Sequence, residues 1–172
     1  MKLDLFDMVV IACASALFAG AVFFAAFGGR AATGAPNARA SASKPGPDLY
    51  PKLAEAKAMI DAGQAKEAAD SLKLVAAQNP TVAEAHALLG QAYSRLLDYK
   101  GSVREYRLAL SLDADYVDKK SEKFIGKRIK AAVKEAKPVF ASTLEAKPDD
   151  QCAEAALNDC RYLERMLAGG CE

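Results

Sequence analysis

Between Ala83 and Ala114 the sequence AEAHALLGQAYSRLLDYKGSVREYRLALSLDA divides into two helical halves, and no other stretch restricts the fold so tightly. Apolar or small residues recur at the 3.6-residue helical spacing on either side of a break near Asp98. Leu88, Leu89, Ala92, Tyr93 and Leu96 form the packing stripe of the first half, and Val103, Tyr106, Ala109 and Leu110 that of the second. Gly90 and Ala109 are small enough to let neighbouring backbones approach closely. Composition agrees with an all-α chain: alanine is abundant, Trp is absent, and the six Tyr and seven Phe are scattered, whereas a sheet would be enriched in aromatic and β-branched residues.

The two halves together resemble a tetratricopeptide repeat, a 34-residue helical hairpin. His86, Leu89-Gly90, Tyr93, Ser102, Tyr106 and Ala109 stand at the family's characteristic places. His86 departs from the usual Trp, Leu97 stands where Gly is common, and Ala114 replaces Pro. A true repeat must show the same features one period earlier. There Gly63 ends a first helix, Met59 and Ile60 keep its stripe, Ala68 and Leu72 line a second, and Asn79-Pro80 closes it. Glu55-Ala56 replaces Leu-Gly in this unit. The resemblance implies an all-α, short helical-hairpin solenoid with units at about 49–82 and 83–116, a divergent third unit and cap over 117–169, and a domain spanning 48–172. It also implies a concave face lined by the first helices, with contact positions Leu53, Lys57, Ile60, Asp61, Glu84, Ala87, Gln91, Ser94 and Arg95 for a protein or peptide partner.

Residues 8–28, MVVIACASALFAGAVFFAAFG, carry no charge and at 1.5 Å per residue span roughly the 30 Å hydrocarbon core. Behind a flank of residues 1–7 they read as one uncleaved transmembrane helix, making a lipid bilayer the second partner and a bacterial cytoplasmic membrane the expected location. A cleavable signal peptide is the competing reading, supported by the small-x-small run Ala38-Arg39-Ala40 but opposed by the length of the apolar stretch. Cys13 reads as a thiol within the anchor. Lys2 before the segment and Arg30, Arg39 and Lys44 after it slightly favour a cytoplasmic domain, leaving the side of the membrane open. Gly29 to Pro47 is rich in Gly, Ala, Ser and Pro and reads as a flexible tether.

Phe124, Ile125, Ile129, Ala132, Val133, Ala136 and Phe140 recur at intervals expected of a long amphipathic helix, which Pro138 should bend or split. Lys120, Lys123, Lys127, Lys130, Lys134 and Lys137 mark its other face, either a solvated surface or a strip for anionic lipid headgroups or an acidic partner. Pro148-Asp149-Asp150 starts a final helix bearing Ala153, Ala156, Cys160, Leu163 and Leu167 on one face and ending at Gly169-Gly170. Cys152 and Cys160, eight residues apart, are too distant on a helix for a disulfide and read as buried free thiols. Cys171 stands as an exposed terminal thiol, open to bridging or modification.

With 23 Lys and Arg against 22 Asp and Glu, net charge provides no argument for nucleic acid. No Cys or His spacing suggests a metal, no Gly-rich loop suggests a phosphate cofactor, and nothing assembles a catalytic triad around the single histidine, His86. The expectation is therefore a membrane-anchored adaptor without enzymatic activity or cofactor. Its alternatives are a self-assembling envelope protein and a sensor of anionic membrane surfaces through the basic strip.

Overall fold

The computed structural model describes residues 48–169, which are mostly helical and among which no strand occurs. The apolar segment 8–28, the tether 29–47 and Cys171 lie outside these residues. Six helices follow in order: α1 (Leu49–Asp61), α2 (Ala65–Gln78), α3 (Ala83–Arg95), α4 (Tyr99–Leu112), α5 (Gly126–Ala146) and α6 (Gln151–Ala168), with a 3-10 turn at Ala114–Val117 between α4 and α5. Among the described residues, no helix is long and apolar enough to cross a membrane.

The first four helices repeat with a period of 34 residues at every boundary, α3 and α4 beginning and ending one period after α1 and α2. Their turns repeat too. Gly63 adopts φ +84° and Leu97, one period later, φ +59°. The following amides then reach back to the preceding helix: Gln64 N–H donates to the Met59 carbonyl at 2.9 Å and Asp98 N–H to the Tyr93 carbonyl at 3.0 Å. Asn79 and Asp113 close α2 and α4 through equivalent 2.9 Å bonds to Val75 and Ala109. The buried positions of α2 map onto those of α4, with Ala68, Ala69, Leu72, Val75 and Ala76 matching Ser102, Val103, Tyr106, Ala109 and Leu110.

Packing divides the interior into two clusters that meet at α3. One joins α1, α2 and α3 around Leu53, Ile60, Leu72 and Leu89; the other joins α3 to α6 around Val103, Tyr106, Ile129, Cys160 and Leu163. Serving both, α3 is buried from Ala85 to Ala92 without a break. The absence of a side chain at Gly90 lets the Tyr106 ring lie against α3: a Cβ there would come 3.0 Å from the ring. The buried Ser102 hydroxyl donates to the Gly90 carbonyl at 3.0 Å, satisfying its own polarity while joining the two helices.

After α4 the period ends. A third unit would open near residue 117, but the chain instead makes the 3-10 turn and a short connection, in which Ile125 N–H donates to the Tyr116 carbonyl at 2.9 Å. Helix α5 starts only at Gly126, so Lys120, Lys123, Phe124 and Ile125 lie outside the long amphipathic helix expected to contain them. Pro138 does not split α5, which runs for 21 residues. It is exposed, so water can satisfy the Lys134 carbonyl that loses its helical donor. Asp150 starts α6 by accepting the Cys152 and Ala153 amides, each at 3.0 Å. Arg107 on α4 donates to Asp159 on α6 and lies over the Tyr162 ring at 5.2 Å, fastening the last helix to the second repeat.

The thiols of α6 separate. Cys160 is buried within the second cluster, where loss of solvation pushes it up to about 11, whereas Cys152 is exposed rather than buried as expected. Cys152 lies in the first turn of α6, one turn before buried Ala156, so its place at the helix end rather than its helical face sets it apart.

Candidate functional site

Two surfaces result from this architecture. The first comprises the α1 and α3 positions expected to line a concave face. Lys57, Asp61, Glu84 and Arg95 are exposed and Ser94 is half-buried, and none of the four charged side chains forms an ion pair among the described residues. Asp61 and Arg95 are equivalent by the 34-residue period, so opposite charges stand at corresponding places on α1 and α3.

The remaining four positions do not form a contact surface. Leu53 and Ile60 are 2% and 0% exposed and belong to the first core cluster, because α1 uses their face to meet α2 and α3. Ala87 belongs to the second cluster. Gln91 is buried and accepts a 3.1 Å hydrogen bond from the Arg128 guanidinium of α5, so the third hairpin has taken its polar end.

His86 fastens the same helix. Its Nδ1 lies 2.7 Å from Glu105 on α4 and its Nε2 lies 3.2 Å from the Pro80 carbonyl before α3. Both partners are acceptors, so a ring protonated on both nitrogens satisfies both. The hydrogen bond to Glu105 accordingly raises its pKa, against the opposing effect of burial. Ser102, the nearest buried hydroxyl in sequence on α4, is committed to the Gly90 carbonyl, so this geometry is that of a structural clasp.

The second surface is a groove of about 1080 Å³ between α5, the end of α6 and the connection before α5. Val117, Phe124, Val133 and Leu167 supply apolar lining, and Lys127, Lys130, Lys134 and Lys137 follow α5 along its rim. Lys119 joins them from the connection; its role was not legible because only the tertiary path of residues 114–125 brings it beside α5. Gly126 makes room for the Phe124 ring, which would lie 2.5 Å from a Cβ at that position.

The expected basic strip is divided by this geometry. Lys120 is absent from the groove lining, and Lys123 forms a 2.7 Å ion pair with Asp113. Lys137 reaches both carboxylate oxygens of Glu164 on α6, at 2.8 and 2.9 Å. Lys119, Lys127, Lys130 and Lys134 have no ion-pair partner among the described residues. No family model matches the chain, and no curated protein matches it.

Proposed function

We propose that the chain is a membrane-anchored adaptor whose tetratricopeptide-like array holds a protein partner. The observation that carries this reading is the 34-residue recurrence, which extends from sequence spacing to helix boundaries, left-handed turns, closing hydrogen bonds and core positions. A repeated hairpin of this kind presents side chains in a fixed array without needing a catalytic centre. Lys57, Asp61, Glu84 and Arg95 are its accessible contact groups, with Ser94 between them, and their mixed charge suits a polar peptide bearing both signs. The uncharged run 8–28 supports anchoring to a bacterial membrane.

The test places a photo-crosslinking residue in the full chain at Arg95 and, as a control, at exposed Leu74 on α2. In native membranes, a protein adduct should form at position 95 in preference to position 74, and Lys57→Glu should reduce it. Equal adducts at both positions would refute recognition by this face, and an adduct of twice the chain mass would turn the reading to self-assembly. Release of the full chain by alkaline carbonate would refute the anchor.

A further inference from the structure

We propose that the groove between α5 and α6 is a second binding site, whose ligand is an acidic amphipathic helix of a partner protein. It stands apart from the α1–α3 face and from the reading of that face, and would survive failure of either.

Shape gives the first reason. The groove's volume of about 1080 Å³ slightly exceeds the roughly 300–1,000 Å³ typical of small-molecule pockets. From Lys127 to Ala141 its lining follows α5 for roughly 20 Å at the helical rise, nearly four turns. Val117, Phe124 and Leu167 are half-buried, leaving apolar surface that a partner's aliphatic side chains can cover. The lysine stems extend that apolar wall while their ammonium groups remain at its edge.

Charge gives the second reason and separates two kinds of occupant. Lys127, Lys130 and Lys134 are spaced three and four residues apart, one cation per turn, and none is neutralised by a described residue. Lys119 adds a fifth lysine to the lining, and Glu164, its sole acid, is already held by Lys137. A lipid places its charge at one end of an apolar tail and would match only one of these turns. A helix with Asp or Glu at three- and four-residue intervals matches them all while directing its apolar stripe into the floor. A concave wall also follows a helical cylinder better than a flat bilayer surface.

Fluorescence anisotropy with the full chain in nanodiscs of zwitterionic phosphatidylcholine tests this assignment. The probes are two labelled 16-residue peptides with the same leucine stripe, one carrying glutamates and the other lysines at every remaining charged position. The acidic peptide should bind at least tenfold more tightly than the basic one, and added salt should weaken it. Exposed ion pairs contribute up to about fivefold each, a ceiling of about 125-fold for three, so Lys127→Glu, Lys130→Glu and Lys134→Glu together should weaken the acidic peptide by about 30-fold. Leu167→Ser should also weaken it. If the charge reversals lower helix content, the corresponding Lys→Gln triple replaces them, with at least tenfold weakening expected. Failure of the acidic peptide to bind, equal binding of both peptides, or unchanged binding by the triple variant would overturn the assignment. Displacement of the acidic peptide by vesicles containing phosphatidylserine, without displacement by phosphatidylcholine vesicles, would reassign the groove to lipid.

Discussion

Truncation of Leu72 to alanine should loosen the first hairpin while leaving the last intact. Leu72 is 0% exposed and sits among α1, α2 and α3 in the first of two core clusters. A buried Leu→Ala change costs about 2–5 kcal/mol, and complete burial places this site near 3 kcal/mol or above. A folded region of this size holds on the order of 6–18 kcal/mol in all, and in stacked hairpins an end unit opens for less than the global value. A loss of about 3 kcal/mol corresponds to about a hundredfold loss of amide protection wherever local opening governs exchange. Hydrogen exchange read by mass spectrometry on the full chain in detergent should show that loss in peptides from α1 and α2. Peptides from α5 and α6 should change by less than about threefold, and Leu163→Ala, in the other cluster, should reverse the pattern. An equal hundredfold loss from α1 through α6 in Leu72→Ala would show that the clusters open as one unit, refuting the division at α3.

Three further perturbations test local features. His86 has a raised pKa in the fold, so its contribution to stability is complete below its unfolded value near 6.5 and is lost as pH rises through the folded value; the melting temperature should fall from pH 6 to pH 9 by more in the native chain than in His86→Gln. Leu97, 64% exposed, takes φ +59° at the position equivalent to Gly63, so Leu97→Gly should relieve strain at little cost in burial and stabilise by about 0.5–1 kcal/mol, whereas Gly63→Ala should destabilise by about 1 kcal/mol; chemical denaturation measures both. A maleimide should label Cys152 in the native chain and Cys160 only after denaturation, as peptide mass spectrometry can read, because burial pushes Cys160 up to about 11 while Cys152 is exposed.

The first four helices were legible because several local signals agreed: an apolar stripe of helical period, Gly63 at a left-handed turn, Asp98 before α4 and Asn79-Pro80 after α2. Asp98 accepts the Gly101 amide at 3.0 Å, as a helix-starting residue should. The start of α5 at Gly126 departs from the expected helix because lysine spacing across residues 120–137 imitates a continuous helix face. Competing signals lay just before that stretch and at its start. Asp113, Asp118 and Ser121 accept the Asp115, Lys120 and Lys123 amides at 3.0, 2.9 and 3.1 Å, diverting them from a helix. Four of the nine expected contact positions are buried for another reason. Leu53 and Ile60 stand seven residues apart on the apolar stripe of α1, which outweighs their place in the repeat and takes them into the core. Nothing local reveals that Arg128, 37 residues away, reaches Gln91. The groove required tertiary placement as well, since Val117, Lys119 and Leu167 come together from separate elements.

The place where the repeat fails is also where the unassigned surface occurs. Within the array each hairpin is covered by its neighbour, whereas α5 and α6 must cap it and leave an edge. Helix α6 seals the core through Ala153, Ala156, Cys160 and Leu163, but one turn later Leu167 is only half-buried and lines the groove with Ala168. An edge shaped for stability alone would carry mixed charge there, since like charges three and four residues apart repel. Lys127, Lys130 and Lys134 do the opposite. Neutralising Lys130 as Lys130→Gln should therefore raise the melting temperature by about 1–3 °C while weakening the acidic peptide. A gain in stability coupled to a loss of binding would mark the lysine row as kept for a ligand at the expense of the fold. If instead stability fell and binding held, the row would belong to the cap, and the groove would be no more than the place where the last helix ends.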